Sequence, residues 1–209
     1  MSKFLTIKSP SEGIYKEKGS RFLAYTWPVS SEDEIKNLLA ALKKDHHKAR
    51  HICFAYRLGA DKANFKYSDD GEPHNSAGFP ILGQIKSFDL TNILIAVVRY
   101  FGGTKLGLGG LTSAYKDAAK DALEHASIVE DVEHETISIT IDYAHLSELM
   151  NFIKHNNIKI SEQDLGGECK VVVSVAKENV INTIGALGKI SSLRLNPNFK
   201  SQISNNHFF

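Results

Sequence analysis

Cysteine is scarce: Cys53 and Cys169 are the only two in 209 residues, far apart and outside any CxxC pair. That usage argues against a disulfide framework and against a zinc site, and it fits a reducing compartment. Long apolar runs are also missing. The most apolar stretch, Ile93 to Val98, is far shorter than the roughly 20 residues a bilayer span needs, and it reads as a buried strand. The amino terminus, MSKFLTIKSPSEGIY, has no apolar core of signal-peptide length. The expectation is therefore a cytoplasmic location with no membrane partner. Charge of one sign is lacking as well: 25 basic against 24 acidic side chains give a formal net charge of +1. No global field draws such a chain to a polyanion, so any polyanion site must be local.

What is present is an ordinary globular composition, 42% hydrophobic and 23% charged, able to bury a core without staples. At 209 residues the chain exceeds the usual domain size of roughly 100–150, and two domains are expected, at 1–130 and 131–196, with a polar tail at 197–209. Phe4 to Val29 reads as a strand meander broken by Pro10, Gly13 and Gly19. Ser31 and Glu34 have capping-box spacing before a helix whose buried face is Ile35, Leu38, Leu39 and Leu42. His51 to Leu58 reads as a strand, Lys66 to Ser76 as a loop, and Ala77 to Lys86 as a short helix. Thr91 to Arg99 reads as a central strand. Leu111, Ala114, Tyr115, Ala118 and Ala122 then follow helical spacing.

The acidic stretch Glu130 to Glu135 is the expected connection between domains. After it comes a strand over Thr136 to Asp142 and a helix marked by Leu146, Leu149, Met150 and Ile153. Two strands follow, Ile158 to Leu165 and Lys170 to Val175, with Gly166 and Gly167 turning between them. A helix with Val180, Ile181, Ile184 and Leu187, and a strand near Ile190 to Leu195, complete βαββαβ. That order is the ferredoxin-like pattern, and the fold class as a whole is α+β.

Three segments could carry chemistry. The first is RYFGGTKLGLGGLTSAY, Arg99 to Tyr115, with five glycines crowded between a strand and a helix. Glycine permits positive φ and close approach of a phosphate or another backbone. The segment is either an anion cradle at a helix start, with Lys105 and Arg99 adding charge, or a tight crossover packed under the sheet. It is not a P-loop, because no Gly-Lys-Ser/Thr triplet closes it, and its glycines do not spell GxGxxG.

The second is YSDDGEPHNSAGFPIL, Tyr67 to Leu82, where Asp69, Asp70 and Glu72 lie near His74, Asn75 and Ser76. Too short for a Ca²⁺ loop and interrupted by Pro73, it reads more readily as an Asp-Gly turn before a helix capped by Asn75 or Ser76. The third is KKDHHKARHICFAY, Lys43 to Tyr56, the best basic patch available. It either touches phosphates or is a solvated helix end, the latter being favoured on spacing alone.

Together, HICFAY, SDDGEP followed by SAGFPIL, and RYFGGTKLGLGGL resemble the signature of the IMPACT/YigZ family over Lys18 to Leu123. The resemblance implies an amino-terminal α/β sandwich like ribosomal protein domain 2, shared with elongation factor G domain four and small-molecule kinases. It also implies a carboxyl-terminal partner like elongation factor G domain five. It implies a translation-linked regulatory or binding protein whose partner is RNA, the ribosome or a translation factor, rather than a defined enzyme. Eukaryotic IMPACT, on this resemblance, restrains a starvation-responsive initiation-factor kinase.

The expected binding residues are Asp69, Asp70, Glu72, Ser76, Arg99, Gly102, Gly103, Lys105, Gly109 and Gly110. They face an anion or phosphate, with no metal, no cofactor and no catalytic residue assigned. The alternative is an enzyme acting on a phosphorylated small molecule or nucleotide held at Gly102–Gly110. One departure stands out: where many relatives have Val-Arg-Ala-Tyr, this chain has Thr112-Ser113-Ala114-Tyr115 and so loses a cation at the helix start.

Overall fold

The computed structural model describes residues 3–166 and 168–195. The tail expected at 197–209 and Gly167 of the expected turn lie outside the described residues. The chain forms two compact units, Ser2–Asp131 and Val132 onward.

In the first unit, β1 (Lys3–Ile7) precedes the hairpin of β2 (Ser11–Glu17) and β3 (Ser20–Pro28). Helix α1 (Glu32–Asp45) follows, then β4 (His51–Leu58) and β5 (Asn64–Ser68). Helix α2 (Gly78–Ser87), β6 (Ile93–Tyr100), α3 (Gly107–Glu124) and β7 (Ile128–Val132) complete it. The main sheet has the order β2-β3-β6-β4-β5, with every neighbouring pair antiparallel. β1 and β7 form a separate two-stranded ribbon.

The apolar run of β6 has a topological cause. Side chains alternate across a strand, so Ile93, Ile95 and Val97 enter the core under α2 and α3 while Leu94, Ala96 and Val98 enter the layer that includes Ile35 and Leu42 of α1. Both faces are covered, and alternation of apolar with polar residues disappears. The same parity sends Arg99 to the α3 side, at the end of the strand.

Helix α1 starts where capping chemistry placed it: the Ser31 hydroxyl accepts from the Glu34 amide at 3.2 Å. The reciprocal half of the box has slid by one residue, because the Glu34 carboxylate accepts from the Ser30 amide at 2.9 Å.

Two expected connections turn out to be strands. β5 takes the first part of the expected Lys66–Ser76 loop, pairing with β4 from Asn64↔Leu58 to Ser68↔Phe54. The acidic stretch Glu130–Glu135 is divided between β7 and β8 (His134–Ile141), with Glu133 alone between them. The β-branched residues Ile128, Val129 and Val132 outweigh the acids there, and Lys3 pairs with Glu130 at 2.7 Å.

The alanine face of α3 seats directly on edge strand β2. The Ser11 hydroxyl donates to the Ala122 carbonyl and the Ile14 amide donates to Asp121, each at 2.8 Å. Gly13 makes this approach possible: a Cβ there would lie 2.3 Å from the Ala122 backbone nitrogen.

The second unit contains β8, α4 (Leu146–His155), β9 (Lys159–Asp164), β10 (Cys169–Ala176), α5 (Val180–Leu187) and β11 (Leu193–Leu195). Its sheet order, β11-β8-β10-β9, is that of the ferredoxin-like fold. The last strand is shorter than the expected Ile190–Leu195, because Ile190 turns into the core beside Leu187. Among the described residues no helix is long and apolar enough to cross a membrane.

Gly13→Ala is expected to destabilise the first unit by about 1–3 kcal/mol or more, as overpacking against backbone does. Urea denaturation followed by circular dichroism checks it.

Candidate functional site

The acidic loop is built by its own first residue. The Asp69 carboxylate accepts three backbone amides, from Asn75 at 2.9 Å, Ala77 at 3.0 Å and Gly78 at 2.9 Å. It thereby supplies the cap for α2 that was expected from Asn75 or Ser76. The Ser76 hydroxyl is buried and donates to the Pro73 carbonyl at 2.6 Å. The Asp70 carboxylate accepts the Ile52 amide at 2.7 Å, reaching past the end of β5 to β4.

His51 and Cys53, on one face of β4, reach successive carbonyls of the same loop, His51 to Asp70 at 2.7 Å and Cys53 to Asp69 at 3.0 Å. A carbonyl can only accept, so His51 Nδ1 carries a proton. Burial pushes the Cys53 thiol far up, leaving it a neutral packing group and not a nucleophile.

This loop delivers Glu72 into the protein. Glu72 Oε1 accepts from Arg99 Nη1 at 2.6 Å and from the Tyr115 hydroxyl at 2.9 Å. Arg99 is 8% exposed and Glu72 9%, so this is a buried ion pair. Register places Phe22 on one side of Arg99 and His51 on the other, and the guanidinium lies 5.5 Å from the Phe22 ring centre and 5.6 Å from that of Phe101. Burial first, then Cys53 and Glu72 beside it, pushes the Tyr115 phenol up, so it remains a donor to the carboxylate. Arg99 Nε is buried and has no hydrogen-bond partner among the described residues.

The glycine segment splits into two roles. Gly102 is a packing glycine: a Cβ would lie 1.9 Å from the Gly19 carbonyl carbon, and its amide donates to the Ser20 hydroxyl at 3.1 Å. Gly103 and Gly109 are exposed, with nothing within 4 Å of an added Cβ. Gly107, at φ +72°, opens α3, and no side chain caps that helix start. The first-turn amides of a helix have no intrahelical partner, and that end carries the positive end of the dipole.

Beside this helix start lies a cleft of about 420 Å³ whose walls include Glu72 and Pro73 of the acidic loop, Arg99, and Lys105 to Leu108. Arg50, His51, Phe101 and Leu111 complete it. Arg50 and Lys105 form no ion pair among the described residues, so the cleft carries uncompensated positive charge once Glu72 and Arg99 have neutralised each other.

Of the expected binding residues, Glu72, Arg99 and Lys105 therefore meet at one cleft. Asp69, Asp70 and Ser76 do not line it, since their polar atoms build the loop behind it. Gly102 holds the β2–β3 turn, and Gly103, Gly109 and Gly110 stand near the cleft without lining it. Arg50, Phe101 and Tyr115 were not among the expected binding residues. Arg50 sat in a basic segment read as a solvated helix end, and Tyr115 matched a core position of helical spacing.

The rest of that segment is solvated, with Lys43, Lys44, His47 and Lys48 exposed. His46 instead sits between the Tyr25 and Tyr100 hydroxyls at 3.1 and 2.9 Å. Among the described residues no group of three His, Cys, Asp or Glu is placed to hold a metal ion.

Glu72→Leu, which strands the Arg99 charge, is expected to cost about 3–5 kcal/mol of stability. Adding Arg99→Met should recover part of that loss, because no charge is then left buried. Urea titrations of both variants test this, and a double variant less stable than Glu72→Leu alone would contradict the ion-pair account.

Comparison with known proteins places the chain in a family. Residues 18–123, which hold both loops and the cleft, match the Impact N-terminal domain. The chain is 34% identical over 159 residues to the IMPACT family member YvyE of Bacillus subtilis, covering 76% of this chain and 73% of that one. It is 29% identical over 197 residues to an IMPACT family member of Haemophilus influenzae, covering 93% and 96%. A crystal structure described only as that of a hypothetical protein superposes with a TM-score of 0.69 at 28% identity, covering 93% of this chain and 97% of that one. The chain belongs to the IMPACT family.

Proposed function

We propose that this protein is a translation-linked binding protein that engages RNA, free or on the ribosome, through the surface around the α3 cleft. The observation that carries the reading is the surplus of positive charge at that cleft in a chain whose net charge is only +1. Lys43, Lys44 and Lys48, upstream of Arg50 in the chain, are exposed as well. Half-exposed Phe101 adds a ring of the kind on which bases stack. The link to translation comes from the family resemblance, which also makes a translation-factor protein a partner to test.

The alternative of an enzyme acting on a phosphorylated small molecule draws less support. Asp70 is committed to the Ile52 amide, and Glu72 is shared between Arg99 and Tyr115. One oxygen of each carboxylate is thus engaged inside the protein, which weakens the case for either as acid, base or metal ligand.

Arg99 is unsuited to a binding test because it is structural, whereas Arg50 and Lys105 are exposed. An Arg50→Ala, Lys105→Ala double variant is expected to bind single-stranded RNA more weakly. The slope of log K against log salt should be shallower by about 1.4, from roughly 0.7 per lost phosphate contact. Fluorescence anisotropy across a salt series measures it, and an unchanged affinity and slope would remove this surface from consideration.

A further inference from the structure

We infer that the cleft beside Phe101 is a pocket for a nucleoside monophosphate, with the phosphate at the start of α3 and the base against the Phe101 ring. The inference deepens the reading above, resting on its assignment of this surface to nucleic-acid chemistry.

The cleft volume of about 420 Å³ falls within the roughly 300–1,000 Å³ of ordinary small-ligand sites. Its charge selects the head group. Among the described residues Arg50 and Lys105 have no ion-pair partner beside a neutralised Arg99–Glu72 pair, which suits a phosphate monoester of charge about −1.5 to −2 at neutral pH.

Two further features demand an acceptor there. The first turn of α3 has no side-chain cap, and Gly107, which lines the cleft, leaves open space where a Cβ would stand. Backbone amides can then approach an oxygen closely. Independently, Arg99 lines the same cleft, is 8% exposed, and keeps a buried Nε with no partner among the described residues. An unmet donor on a buried guanidinium is costly, and a small shift of the side chain towards an oxygen of a bound anion would relieve it.

The remaining walls select the body of the ligand. Phe101 is 50% exposed and Leu108 61%, exposure that folding alone does not require. The Arg99 guanidinium lies 5.6 Å from the Phe101 ring centre and so polarises a ring that can stack on a base. A simple inorganic anion would use the cations and leave this apolar wall uncovered, whereas a base attached to a phosphate uses both.

Calorimetric titration of the full chain with adenosine monophosphate, adenosine and inorganic phosphate tests the pocket. The monophosphate should bind saturably, with adenosine and phosphate each at least about tenfold weaker, the scale of one charged hydrogen-bonding group. Lys105→Ala should weaken the monophosphate about tenfold and leave adenosine unchanged. Phe101→Ala should weaken the monophosphate and adenosine alike and leave phosphate unchanged. Both side chains are exposed, so unaltered thermal unfolding midpoints establish that the variants fold.

Phosphate binding as tightly as the monophosphate, or either variant binding like wild type, would overturn the inference. A single-stranded RNA bearing a 5′-hydroxyl is titrated in parallel. RNA binding without monophosphate binding overturns the pocket and leaves the RNA reading standing. Monophosphate binding without RNA binding supports the pocket and removes the RNA reading.

Discussion

The buried contact between Arg99 and Glu72 is the constraint around which the first unit is arranged. Strand parity drives a guanidinium into the α3 side of the sheet at the end of β6, and a charge in that position needs a partner. The acidic loop supplies it. Asp69 and Asp70 spend their carboxylates on backbone amides and so fix the loop in a shape that carries Glu72 inward. Tyr115 of α3 then closes on the same carboxylate oxygen, tying strand, loop and helix at one point.

The consequence for function is indirect. With Glu72 and Arg99 neutralising each other, the charge that faces solvent at the cleft belongs to Arg50 and Lys105, and the uncapped start of α3 adds its dipole to theirs. The acidic motif, which in isolation reads as an Asp-Gly turn before a helix, is in the fold the frame of a basic cleft. Gly102 and Gly107 divide the glycine segment in a similar way: one allows the β2–β3 turn to touch the strand end, and the other leaves the helix start open.

Much of this was legible in the sequence. The capping serine at Ser31, the apolar parity of β6 and the alanine spacing of α3 predicted their elements because each is a local rule that tertiary contacts reinforce. The βαββαβ order was legible for the same reason. The inward turn of Asp69, Asp70 and Ser76 was not, since it depends on amides of β4 and α2 brought close only by folding. Arg99 was named as a cation of the glycine-loop site because sequence shows its charge and not its burial, and Arg50 was left outside the site because its neighbours in the chain are solvated lysines. The strands β5 and β7 were missed where polar side chains mask a backbone that pairs through its edges.

The central claim, that the cleft at the start of α3 is where this protein meets its ligand, is tested most directly by backbone-amide NMR. The full chain, labelled with ¹⁵N, is titrated with single-stranded RNA. The account predicts that the largest shift changes fall on Arg50, Phe101 and Lys105 to Gly110. Saturable binding that leaves those amides unmoved while others shift would contradict it.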